Sequence, residues 1–131
     1  MKSVVKIGIM PKQVYIQRTI AIAKGDYKPQ PDEPKIWFES MQSMAQVLSN
    51  ENQELLRIIQ NEHPESLTEL EALSHRKKSN LSRTLKLLER YGVVKLEETT
   101  NKRKKPVVIA TDFEVSFGLN MGSHAFKQTP A

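Results

Sequence analysis

Six leucines at helical spacing constrain this chain more than any other feature. Leu67, Leu70 and Leu73, then Leu81, Leu85 and Leu88, fall in two short segments separated by His75-Arg76-Lys77-Lys78. At about 100° per residue each set forms one stripe on a helix, so two helices are expected, their leucines core and nothing more. Ser66 and Glu69 make an S-x-x-E capping box ahead of the first: the serine oxygen can accept from a first-turn amide, and the glutamate can reach back to the serine amide. Ser79 reads as the N-cap of the second helix, and Gly92 after Tyr91 suits a left-handed C′ position. Ser79, Arg83, Lys86 and Arg90 lie opposite the leucine stripe. One face is buried and the other cationic.

After Gly92 the period changes. Val93 to Glu97 and Pro106 to Ile109 read as two short β-branched strands joined by Thr99 to Lys105. Helix, turn, helix and a hairpin with a basic tip is the winged helix-turn-helix arrangement. In it the second helix enters a major groove and the wing lies along the backbone or in the adjacent minor groove. Charge follows the same block. Arg76 to Lys105 holds eleven of the 20 Lys/Arg and three of the 15 Asp/Glu, a balance of +8 against −3 for the rest of the chain.

This pattern assigns candidate roles. Asn80, Ser82, Arg83 and Lys86 are placed to meet base edges, since arginine pairs bidentately with guanine and asparagine with adenine. Arg76, Lys77, Lys78 and Ser79 at the start of the second helix, with Arg90 near its end, are the DNA-backbone set, the helix N-terminus assisting. Lys102, Arg103, Lys104 and Lys105 form the wing tip. Each has a plainer reading: a solvated turn for Arg76 to Lys78, edge protection for the lysine run, a back-bond to a helix carbonyl for Ser82, and an ion pair with a neighbouring glutamate for Arg90.

The stretch Ser66 to Ile109, with Ser79-Asn80-Leu81-Ser82-Arg83-Thr84-Leu85, Leu88-Glu89-Arg90-Tyr91-Gly92-Val93-Val94 and its basic wing, resembles winged-helix transcriptional regulators of the MarR and ArsR type. Upstream, Ala23 to Pro29, Glu33 to Phe38 and Leu48 to Asn52 look like a small prokaryotic group of DNA-binding proteins, some described as antitoxins of toxin–antitoxin pairs. The resemblance spans roughly residues 13–118. It implies a sequence-specific regulator of double-stranded DNA, a repressor, and a toxin protein as a further partner. Such turns usually carry a glycine; here His75 or Arg76 must take that conformation, which histidine tolerates better than most residues.

The expected fold class is α+β, mainly helical: a winged helix-turn-helix domain with an N-terminal helical arm. Residues 1–39 form the arm, with a helix from Gln13 to Lys24 carrying Ile16, Ile20 and Ala23 on one side, a linker containing Pro29, Pro31 and Pro34, and a short strand at Lys35 to Phe38. Residues 40–118 form the DNA-binding domain. It opens with a helix capped by Ser40, whose stripe is Met41, Met44, Ala45 and Leu48, and a helix from Ser49 or Asn50 with Leu55, Leu56 and Ile59; it closes with a third strand at Phe113 to Phe117. Residues 119–131 read as a frayed tail.

A helix this short is marginal without a packed face, so the arm either straps its own chain or crosses to a second copy. Two-fold dimers are the commoner case. The expected homodimer interface uses Ile16, Ile20, Trp37 and Phe38.

No cysteine is present, which removes disulfides and thiolate metal sites. His63, His75 and His124 share no metal-ligand spacing, and neither G-x-S-x-G nor H-E-x-x-H occurs. The expectation is no enzyme, no cofactor and no metal. No apolar run approaches membrane-spanning length and the first seven residues are too polar for a secretory leader, so no membrane partner and a cytoplasmic setting are expected. An RNA-binding or protein-interaction winged helix is the alternative. Stacking on RNA needs aromatic side chains, and Arg76 to Lys105 offers only Tyr91.

Overall fold

The computed structural model describes residues 3–119. Among them five strands and five helices make a small α+β arrangement: β1 (Val4–Ile9), α1 (Lys12–Lys24), β2 (Ile36–Phe38), α2 (Met41–Val47), α3 (Asn50–Glu62), α4 (Leu67–Ser74), α5 (Lys78–Arg90), β3 (Val94–Glu98), β4 (Lys104–Val108) and β5 (Asp112–Ser116). The chain divides into two compact units. One holds Ser3 and Ala45 to Asp112; the other holds Val4 to Met44 with residues 113–119. The division falls inside α2 rather than at residue 39, and most of the last strand goes with the N-terminal segment. Most of the segment expected as a tail lies outside the described residues.

The N-terminal unit is built on a strand the sequence reading lacked. β1 is the middle strand of the order β2-β1-β5. It pairs in parallel with β2 in the register Ile7–Ile36, Gly8–Trp37 and Ile9–Phe38, and parallel neighbours need a crossover, which α1 supplies. The strands expected at Lys35 to Phe38 and Phe113 to Phe117 both exist, and each flanks β1 instead of pairing with the other. Ile7, Ile9, Ile36 and Phe38 are all buried. Gly8 is required because a Cβ there would run into the six-membered ring of Trp37.

Helix α1 ends at Gly25, left-handed at φ 81°, with the Gly25 and Asp26 amides donating to Ile22 O and Ala21 O. Its buried residue is Arg18, while Ile16 and Ile20 are 45% and 49% exposed. The proline-containing segment is no free linker. Arg18 Nη2 donates to Glu33 Oε1 at 2.7 Å, Glu33 Oε2 accepts from the Gln30 amide at 3.2 Å, and Lys6 Nζ donates to Asp32 O at 3.0 Å.

In the second unit each helix has a side-chain cap or a left-handed stop where its sequence provides one. Ser49 Oγ accepts from the Asn52 amide, and Ser66 Oγ from the Glu69 amide, both at 3.2 Å. Glu69 reaches back one residue further than a capping box requires, to the Glu65 amide at 3.1 Å. His63 and His75 stop α3 and α4 at φ 51° and 62°. Leu55, Leu56, Ile59, Leu70, Leu81, Leu85, Leu88, Val93 and Val94 form the core, each fully buried leucine contributing about 1.5–3 kcal/mol. Leu73 departs from its expected place at 39% exposure. In α2 the buried residue is Val47, whereas Met41 and Ala45 of the expected stripe are exposed. β3 and β4 form an antiparallel hairpin in which Leu96 faces Pro106.

Candidate nucleic-acid interface

Helix α5 follows from its leucines. Leu81, Leu85 and Leu88 are fully buried, and the 3.6-residue period then turns Arg83, Lys86 and Arg90 outward, where all three are exposed. Ser82 is half-buried beside them. The start of the helix differs from expectation. Lys77, at φ −64° and ψ 143°, takes the N-cap position with no side-chain bond of its own. The Lys78 amide instead donates to Glu71 Oε2 at 3.2 Å, so Ser79 is exposed inside the first turn and caps nothing. A carboxylate at a helix N-terminus is favourable, and it occupies the place assigned above to a phosphate.

Arg76 also departs from its assignment to the DNA backbone. Its guanidinium turns inward, with Nε donating to Asn80 Oδ1 at 2.9 Å, Nη1 to Asn52 Oδ1 at 3.3 Å and Nη2 to Thr84 Oγ1 at 3.1 Å. Asn80 is affected in turn. Bidentate adenine recognition uses both ends of the amide, and one end already serves Arg76. Ser82, Arg83 and Lys86 remain as outward-facing candidates for base edges.

The hairpin tip is shorter than its sequence suggests. The Thr99 amide donates to Arg103 O and the Lys102 amide to Thr99 O, closing a tight loop with Lys102 at φ 60°. Lys102 and Arg103 sit in the tip, whereas Lys104 and Lys105 belong to β4, opposite Glu98 and Glu97. Opposite charges across a strand pair are mutually stabilising. Lys105 Nζ further lies 3.5 Å from Glu65, which removes Lys105 from the free cations.

Two grooves gather the remaining groups. One of about 330 Å³ has Lys78, Arg103 and Lys104 on its walls beside Ser66 and Thr68. Another of about 150 Å³ has Ser82, Lys86 and Lys104 over Leu67, Leu85 and Leu96. Cations from the helix start, the helix face and the hairpin thus share Lys104 as a common wall, with Glu69 lining the first groove and Glu89 the second. Sequence reasoning missed Glu71, Asn52 and Thr84, which organise this surface. Glu71 lies seven residues before the amide it caps, and Asn52 lies 24 before Arg76.

The expected dimer residues separate into two pairs. Ile16 and Ile20 are at the surface, as is Tyr15 at 41% exposure. Phe38, 1% exposed, is core. Trp37 is half-buried with the Arg18 guanidinium 5.1 Å over its ring, and Tyr27 is 5.9 Å from the same guanidinium. Phe38 therefore belongs to the core of its own unit, while Trp37 stacks under Arg18 with part of its surface still open.

Among the described residues no group of three His, Cys, Asp or Glu could hold a metal ion, and no helix is long and apolar enough to cross a membrane. His124 lies outside the described residues. The molecule is thus a small α+β protein whose outward cations are concentrated on one helix and one hairpin. Residues 47–115 match the HVO_A0114 family, more than half of the chain, and the chain belongs to that family. The match takes in all of α3 to β4, and with them every residue of the cationic surface. No curated protein and no solved structure matches the chain.

Proposed function

We propose that this protein is a sequence-specific regulator of double-stranded DNA, a repressor whose α3 to β4 region acts as a winged helix-turn-helix. The observation that carries this reading is the orientation of α5: three leucines fully buried, with Arg83, Lys86 and Arg90 exposed on the other side. An α-helix fits the major groove of B-DNA, and an outward arginine can pair with guanine there. Lys102, Arg103 and Lys104 follow on the hairpin, suited to phosphates or a minor groove. A pair of such units reads two half-sites about one helical turn apart. The exposed isoleucines of α1 are the surface we assign to self-association.

Titration into DNA from the gene's own upstream region and into a shuffled copy, read by fluorescence anisotropy at several salt concentrations, tests the reading. Strong preference for the native sequence is expected. With about six phosphates neutralised, log K should fall against log salt with a slope near −5. Arg83→Ala should cost about 1–3 kcal/mol on the preferred site and relax specificity, while Lys102→Ala weakens all sequences alike. Equal, weak binding to both DNAs would sink the proposal and favour RNA or a protein partner.

A further inference from the structure

The one guanidinium near the α5 N-terminus that turns inward does so against three neutral acceptors. Arg76 sits in the turn between α4 and α5, yet its side chain bonds α3 through Asn52 and α5 through both Asn80 and Thr84. Asn52 is itself buried and fixed, its Nδ2 donating to Val47 O at 2.9 Å and its amide to Ser49 Oγ. The result is a continuous chain of bonds from the end of α2, through α3, to successive turns of α5. No carboxylate is part of it, so the positive charge stays unneutralised beside the first two turns of the helix. Thr84 is the direct chain neighbour of Arg83, and Asn80 lies one turn back along the helix.

Resting on the DNA reading above, we propose that Arg76 is a positioning residue. It fixes the height and rotation of α5 so that Ser82, Arg83 and Lys86 meet base edges, and it touches neither base nor phosphate. Base-edge hydrogen bonds tolerate displacements of only about 0.5 Å, and apolar burial, being non-directional, leaves some of that freedom to the helix. A planar fork with donors in three directions removes that freedom. A lysine ammonium keeps the charge but cannot span three acceptors on two helices. The guanidinium has five N–H groups; if the uncommitted ones served a phosphate, losing them would weaken preferred and shuffled DNA alike and lower the salt slope.

The decisive variants are Arg76→Lys, Arg76→Ala and Thr84→Val, measured on preferred and shuffled DNA across a salt series with the full chain. Positioning predicts that Arg76→Lys loses roughly tenfold on the preferred site, keeps the wild-type salt slope, and binds shuffled DNA as before. Thr84→Val, which removes one acceptor and no charge, should lose part of the same preference. Full rescue by Arg76→Lys, or a slope reduced by about one in Arg76→Ala, would show a phosphate contact and overturn the inference. If Arg76→Ala does not fold, the lysine and valine variants carry the test. If the wild-type protein binds no DNA, the functional reading fails by itself. Amide hydrogen exchange over residues 80–84 of Arg76→Lys then decides: faster exchange supports the strut, and unchanged exchange overturns it.

Discussion

Helices α1 and α5 are each thirteen residues long and bury opposite kinds of residue. In α5 the leucines go in and the cations stay out. In α1 Arg18 goes in, and Ile16 and Ile20 stay out at 45% and 49% exposure. Periodicity fixes which residues share a side of a helix; it does not fix which side is covered. That depends on what lies across from it. Arg18 meets the Trp37 ring at 5.1 Å and the Glu33 carboxylate at 2.7 Å, and a guanidinium with an aromatic face and a counter-charge can be buried where a bare cation cannot. Ile16 and Ile20 have no such counterpart among the described residues of their own unit.

The largest effect expected from this contrast is at Leu85, fully buried in α5. Leu85→Ala should destabilise by about 3 kcal/mol through lost transfer energy and the cavity left behind, and the loss should not depend on protein concentration. Ile20→Ala should behave differently. If a second copy covers α1, its cost in urea unfolding is largest at high protein concentration and shrinks as the protein is diluted and the dimer dissociates, because association stabilises by mass action. A cost under about 0.5 kcal/mol at every concentration would mean a bare surface, and the self-association assigned to α1 would be wrong.

Next in size is Arg18. Arg18→Ala strands the Glu33 carboxylate, whose side chain is 18% exposed, and uncovers Trp37. Removing one partner of a buried pair costs more than the pair is worth; with this residual solvation we expect a loss of about 2 kcal/mol. Arg18→Met with Glu33→Gln should recover most of it, since an apolar stem can keep the packing over Trp37. Failure of the double variant to recover would mean that the charge itself holds the proline-containing segment, and the contrast with α5 would be one of electrostatics more than shape.

How much of this was legible in the sequence divides along the same line. The α4–α5 pair could be read closely because its signals are local: leucines at 3.6-residue spacing, Ser66 capping three residues on, His75 left-handed at the turn and Gly92 at φ 83°. The winged-helix reading itself remains a proposal built on those elements. β1 carries a local signal, the run Val4-Val5-Lys6-Ile7-Gly8-Ile9 rich in β-branched residues ahead of Pro11, but its parallel partner β2 begins 27 residues beyond its end at Ile9, so the sheet it centres could not be inferred from spacing. Lys104 and Lys105 were assigned to the loop on charge, but Glu98 and Glu97 across the ladder draw them into the strand. The roles of Arg76 and Arg18 could not be inferred from spacing, since each is decided by partners on other segments. A surface cation and a buried hub look alike until the acceptors are in place.

The smallest expected effect concerns how the two helices begin. α1 starts after Pro11 with no side-chain cap and no acid in its first turn, whereas the first free amide of α5 is held by Glu71. Glu71→Gln keeps an oxygen to accept from Lys78 and removes the charge. Stability should fall by about 0.5 kcal/mol, the scale of one carboxylate at a half-exposed helix N-terminus. DNA binding should move the other way. Lys78 shares its groove with Arg103 and Lys104, so a negative charge bonded to the Lys78 amide opposes any phosphate that approaches there. Affinity should therefore rise slightly and equally for preferred and shuffled sequences, leaving their ratio unchanged. Such a result would place Glu71 as a brake on backbone attraction, keeping discrimination with the outward face of α5. A shift in the ratio itself would mean that Glu71 also sets the orientation of that face, and the start of α5 would have to be counted among the parts that read sequence.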